Sequence, residues 1–187
     1  MAGFGALASR AYALFTRNPS TARVVVELCG LRADDQVLEV GCGAGGGVDL
    51  VAQRIGADRI AAVDPSPTFV AMVSKRIPGA DIRVAGAEDL PFEDGSFTVI
   101  YSIASMHHWD DRDRGLATLA AKLAPGGRLL IAERALNSPG HGITAEQTEV
   151  VLAELERCGL VDAHSTEHPA GSRRLTVIIA SRPAQAA

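Results

Sequence analysis

The chain has 187 residues, 47% hydrophobic but only 4% aromatic, with a net charge of −4 and a pI near 5.7. That length suits one domain with a sizeable core, and the acidic balance excludes the extended basic footprint of a nucleic-acid binder. No apolar run approaches the roughly 20 residues of a membrane span. The three cysteines, Cys29, Cys42 and Cys158, form neither a disulfide framework nor a ligand-spaced cluster with histidine, so a reducing, cytoplasmic setting without a metal site is expected.

In chain order, residues 1–30 read as a helical N-terminal segment of a single domain spanning 1–187. Leu7, Ala11, Leu14 and Phe15 lie on one side of its first part, and Ser20 or Thr21 caps a helix that Gly30 ends. Gln36 to Val40 is a buried strand that breaks into Gly41-Cys42-Gly43-Ala44-Gly45-Gly46-Gly47, and Val48, Val51, Ala52 and Ile55 then repeat at helical spacing. A second strand, Arg59 to Val63, finishes at Asp64. Ser66-Pro67 starts a helix with Phe69, Val70, Val73 and Ile77 on its buried face. Strands follow at Asp81 to Ala85 and Thr98 to Ser102.

Asp110 or Asp111 opens a helix carrying Leu116, Leu119, Ala120 and Leu123, and Pro125-Gly126-Gly127 turns the chain into a fifth strand, Arg128 to Ala132. Thr144 and Gln147 form a capping box for a helix ending at Cys158 and Gly159. Two strands then follow without a helix between them, Leu160 to His164 and Leu175 to Ser181, so a parallel sheet closes with an antiparallel hairpin.

The glycine run is the densest chemical signal. A buried strand that yields to glycines where a helix begins lets a ligand approach the main chain and the free N–H groups of the helix. Gly41, Gly43 and Gly46 satisfy the dinucleotide fingerprint, with Asp64 placed as its ribose-binding acid. A nicotinamide oxidoreductase, however, needs a hydride-transfer constellation, and neither Tyr12 nor Tyr101 has a lysine nearby. Cys42 reads as a small tolerated side chain in the loop, since no paired base accompanies it.

Four blocks in order resemble the class I S-adenosylmethionine-dependent methyltransferases, in particular the small-molecule group that includes the ubiquinone and menaquinone enzymes. They are VLEVGCGAG at Val37 to Gly45, AVDPS at Ala62 to Ser66, AEDLPFEDGSFTV at Ala87 to Val99, and LAPGGRLL at Leu123 to Leu130. The resemblance implies an α/β, Rossmann-like, seven-stranded, mostly parallel sheet with helices on both faces and the C-terminal hairpin. It implies S-adenosyl-L-methionine as cofactor and a small-molecule methyl acceptor, with no nucleic-acid partner.

The same resemblance distributes the cofactor contacts. Gly41, Cys42, Gly43 and Gly45 pass under the methionine part, and Glu39 orients its ammonium group directly or through water. Asp64, followed by Pro65, takes both ribose hydroxyls, a carboxylate having two oxygens for two donors; its other reading is a turn acid. Ser102 offers its carbonyl to the methionyl end. Many relatives carry an aspartate where this chain has Gly86, so adenine recognition falls to the backbone near Ala87 and to Glu88 or Asp89, which otherwise read as solvated acids.

A base is needed only if the acceptor must lose a proton, and the candidates are His107, then His108, just beyond the fourth strand. Pocket lining is their other reading. Trp109 reads as cover on the following helix or as a pocket wall, and Tyr12 as part of an N-terminal lid. The competing function is a catalytically silent S-adenosylmethionine-binding partner or regulator.

Overall fold

The computed structural model describes residues 19–185. Residues 1–18, with Tyr12 and the first part of the expected lid, lie outside the described residues. Helix α1 (Pro19–Leu28) begins one residue before the expected caps, so Ser20 and Thr21 fall in its first turn. The rest of the chain runs β1 (Val37–Val40), α2 (Gly46–Ile55), β2 (Ile60–Asp64), α3 (Pro67–Arg76), β3 (Asp81–Val84), β4 (Phe97–Ile103), α4 (Arg112–Lys122), β5 (Leu123–Leu136), β6 (Ile143–Thr144), α5 (Ala145–Arg157), β7 (Val161–Ala170) and β8 (Arg173–Ser181).

The main sheet has the order β3-β2-β1-β4-β5-β8-β7, with the two-residue β6 pairing beside β5. Strands β1 to β5 are parallel, whereas β8 runs antiparallel to both β5 and β7. The expected seven strands and terminal hairpin are therefore present, and β6 is an addition too short to carry a periodic signal. Sequence order reverses between β1 and β4, and at such a switch point the loops leave the carboxyl edge in opposite directions and open a crevice.

Alternation along the strands sorts the core into two layers. Leu38, Val40, Ile100, Leu129 and Ile131 face Leu116 and Leu119 of α4 and Val151 and Leu155 of α5. Val37, Ala62, Val99, Tyr101 and Leu130 face Val25 and Val26 of α1, Val48 and Val51 of α2, and Val73 of α3. Burying aliphatic side chains on both sides stabilises the sheet by roughly 25 cal/mol per Å² of apolar surface. Even the acid of β1 is enclosed, because every residue of that strand is buried.

Local signals operate at several element ends. Asp111 caps α4 by accepting the Arg114 N–H at 3.0 Å. Thr144 and Gln147 exchange both bonds of the capping box. Pro125-Gly126-Gly127 does not precede β5 but lies within it, as a bulge between the Phe97–Leu123 and Val99–Arg128 pairs. The hairpin strands are longer than their apolar cores suggest, since β7 sits at the sheet edge with mostly exposed residues and tolerates Pro169. At the opposite end of the strands, Arg128 binds the carboxylate of buried Asp35 at 2.7 Å and the Cys29 and Gly30 carbonyls, tying the end of α1 to β5.

Candidate active site

The loop after β1 stays beside β2, because the Gly41 and Cys42 N–H groups both donate to the Val63 carbonyl. Gly41 has φ +78°, and a Cβ there would lie 1.9 Å from Ser105 Oγ. Only glycine lets the loop pass this close to the exit of β4. Gly45, at φ +72°, caps α2, and Arg76 at the end of α3 closes behind it, donating to the Ala44 and Gly45 carbonyls at 2.7 and 3.0 Å and pairing with Asp49. Nothing local marks Arg76 for this task, since 31 residues separate it from Gly45.

Glu39 is 3% exposed and accepts the Tyr101 hydroxyl at 2.9 Å. Burial pushes its carboxyl up to about 8, against the hydrogen bonds from Tyr101 and the Val48 N–H, while Asp64 and Asp49 raise it further. Its carboxylate sits under the start of α2, within 2.7 Å of where a Gly47 Cβ would lie. Asp64 is buried at the end of β2, and its two oxygens accept the Gly43 and Ser66 N–H groups at 2.8 and 2.9 Å. Burial raises its pKa and those two bonds restrain the rise. Each oxygen keeps a second lone pair, so the turn-acid role and a ligand-binding role coexist in one carboxylate. Burial also raises the Cys42 thiol well above its ordinary range, which agrees with a packing role rather than a nucleophile.

Ser102 is in register with Val40 and Ile131, and its buried Oγ has no hydrogen-bond partner. One residue past β4, Ala104 adopts φ +50°, a conformation that costs an alanine about 1–2 kcal/mol. The turn delivers Ser105 against Gly41 and leads into a 3₁₀ segment, Met106–His108. His107 Nδ1 lies 2.7 Å from Glu133 Oε2. Glu133 is 1% exposed, on the β5 face shared with Ile131, and its other oxygen is unpartnered.

His108 lies against His107 with ring centroids 4.0 Å apart and the rings tilted by 45°, and His141 from the β5–β6 loop approaches both. Burial, then the neighbouring His107 and His141, lowers the His108 pKa. Sequence reasoning missed Glu133 and His141, although an acid interrupting the apolar run of β5 was a visible signal. Trp109 donates to Ser105 Oγ at 3.3 Å and lies against Gly115 of α4, where an added Cβ would meet its ring at 2.7 Å; it is cover on the helix.

Pro65 is exposed beyond Asp64, while Ala87 is buried. The Glu88 carboxylate fills the space beside Gly86, with Oε2 2.7 Å from an ideal Cβ and Oε1 accepting the Asp111 N–H at 3.2 Å. An acid is thus present where Gly86 supplies none. Asp89 is exposed. A surface depression lined by Ala120, Pro125, Cys158 and Arg182 lies by the start of β5, away from this edge.

The site therefore gathers a glycine cradle, a buried acid at the end of β2, an unpartnered hydroxyl on β4 and a histidine group on one carboxyl edge. A family model described as a methyltransferase domain matches residues 38–131, half of the chain. The chain belongs to the class I S-adenosylmethionine-dependent methyltransferases. The methyltransferase GfsG of Streptomyces halstedii is 36% identical over 148 residues, 76% of this chain and 51% of that protein. A Mycobacterium ulcerans protein named phthiotriol/phenolphthiotriol dimycocerosates methyltransferase 1 is 36% identical over 58% of this chain and 39% of its own length. This methyltransferase chain thus spans about half the length of the curated relatives it matches, or less.

Among solved structures, an Aquifex aeolicus SAM-dependent methyltransferase superposes with a TM-score of 0.70 at 18% identity, over 86% of this chain and 88% of that one. The [4+2]-cyclase SpnF superposes with a TM-score of 0.72 at 19% identity, over 88% and 80%. These likenesses show the fold alone, and a cyclase among them illustrates that one fold hosts different reactions. The family's cofactor fits this edge: the glycine cradle admits a close ligand, Asp64 has lone pairs to spare, and the buried Ser102 hydroxyl lacks a partner. No described helix is long and apolar enough to cross a membrane.

Proposed function

We propose that this chain transfers a methyl group to a small-molecule acceptor. The observation that carries the reading is the buried carboxylate of Asp64, joined to the glycine loop through the Gly43 N–H at 2.8 Å at the switch point of the sheet. In this reading Asp64, followed by Pro65, holds the ribose hydroxyls, and Glu39 orients the ammonium group. The backbone of Gly41, Cys42, Gly43 and Gly45 lies under the methionine part, with the Ser102 carbonyl at its end. Gly86, Ala87 and Glu88 face the adenine. Bound S-adenosylmethionine supplies an already activated methyl group, so the chain's main task is to hold both reactants in line in a dry crevice.

His107 is the residue we assign to the acceptor proton. A neutral imidazole that donates from Nδ1 to Glu133 keeps its lone pair on Nε2, where it takes a proton from an acceptor hydroxyl or amine. His108 borders the same space as a wall or alternate base. The loop joining β5 to β6 spans only residues 137–142, too short for a substrate-capping insertion, and the acceptor we assign is a small molecule of the kind taken by the quinone methyltransferases that the four blocks resemble.

Calorimetric titration with S-adenosylhomocysteine, S-adenosylmethionine and NADH tests the reading. Micromolar binding of the first two alone, followed by release of S-adenosylhomocysteine with an acceptor, is expected. Selective NADH binding, or no binding at all, overturns it. Binding without turnover of any acceptor favours the second reading, a catalytically silent partner or regulator, for which Gly86 speaks.

A further inference from the structure

We infer that His107, His108 and His141 form a binding site for one divalent transition-metal ion of borderline softness, with zinc as the prototype. Their candidate ligand nitrogens all lie within 4.8 Å of one another. Tetrahedral zinc, with bonds of about 2.0–2.1 Å, sets its nitrogens about 3.3 Å apart. The required contraction is therefore on the order of 1 Å, and His141 is well placed to supply it, being exposed on the short β5–β6 loop. Imidazole nitrogens select zinc, copper, nickel or iron over magnesium and calcium, which prefer oxygen.

A second observation comes from behind the cluster. The buried Glu133 carboxylate stands 2.7 Å from His107 Nδ1, leaving Nε2 as the free ligand atom. A carboxylate on the far nitrogen is the arrangement that fixes the tautomer and ring direction of metal-binding histidines and raises their basicity. Packing alone accounts poorly for the group, because His108 and His141 are both exposed.

The separation in sequence explains why the site is invisible there. His141 lies far beyond His107 in the chain, outside any ligand motif, and only the pairing of β4 with β5 brings the two segments together. Three protein nitrogens leave at least one coordination position open, as in sites that take an exogenous ligand rather than in closed structural ones. Where the chain acts by the proposed methyl transfer, on which this last step rests, that ligand is an oxygen of the acceptor, and the metal's polarisation of that oxygen replaces the base role that His107 Nε2 has in the metal-free protein.

The test uses tag-free protein stripped with chelator and dialysed, then titrated with zinc chloride by calorimetry and with cobalt(II) by visible absorption. The wild type should bind one equivalent at micromolar Kd or tighter and give cobalt bands of low coordination number. His141→Ala should weaken binding at least tenfold and abolish those bands. Glu133→Gln, a change at a positioning residue, should weaken binding about 10–100-fold. A parallel S-adenosylhomocysteine titration should be unchanged in both variants. Equal zinc binding by wild type and His141→Ala, or no stoichiometric binding by the wild type, overturns the site. Loss of S-adenosylhomocysteine binding with zinc binding intact would instead sink the methyl-transfer reading and leave the metal site standing.

Discussion

Replacing Glu39 by glutamine perturbs the most deeply enclosed acid of the proposed cofactor cradle. In the unfolded chain this carboxyl titrates near 4.5, and in the folded protein burial pushes it up to about 8. Between those values the folded state holds a proton that the unfolded state has lost. Stability therefore falls as pH rises through that window, and levels off above about 8. The full displacement corresponds to about 5 kcal/mol at most, a large share of the stability of a domain this size.

The substituted amide has no such titrating proton and keeps one oxygen for the Tyr101 hydroxyl. Urea denaturation of the ligand-free proteins, followed by circular dichroism at about pH 5, 6, 7 and 8, yields a difference curve that removes the other titrating groups. The wild type should lose several kcal/mol relative to Glu39→Gln between the two ends of that range. A flat difference curve would refute the inference that the enclosed carboxyl is protonated at neutral pH. Added S-adenosylhomocysteine should shrink the slope, because its ammonium group favours the charged carboxylate.

Other substitutions probe the remaining contacts. Asp64→Asn is preferable to alanine, which would strand both the Gly43 and Ser66 N–H groups; it should weaken S-adenosylhomocysteine binding at least tenfold by calorimetry, about 1.5 kcal/mol or more, and an unchanged Kd removes Asp64 from the ribose role. Gly41→Ala places a methyl against Ser105 at a backbone angle unfavourable to alanine, so ligand affinity should drop about tenfold or more. Ser105→Gly in that background should restore part of the loss, and no restoration would mean that strain alone is responsible. Glu88→Ala should weaken S-adenosylhomocysteine about fivefold to tenfold through one lost hydrogen bond yet leave S-inosylhomocysteine, which lacks the adenine amino group, unaffected; equal losses for both ligands would separate Glu88 from adenine recognition.

What the sequence by itself determined lies in signals carried by neighbouring residues. The glycines between β1 and α2, the Ser66-Pro67 start, the Asp111 cap and the Thr144–Gln147 box each act within a few positions, and so do the apolar periods of β1, β2 and β4. Their order was enough for the sheet, its closing hairpin and the edge where the candidate site lies. Only the tertiary structure decided which distant side chains meet. It set Tyr101 on Glu39, Arg76 behind Gly45, Ser105 beneath Gly41, and Glu133 and His141 around His107. The extent of β7 also depended on β8, because a polar edge strand owes its form to backbone pairing rather than to buried side chains. Strand order and register place residues tens of positions apart within hydrogen-bonding distance, and no local pattern of residue types encodes that distance.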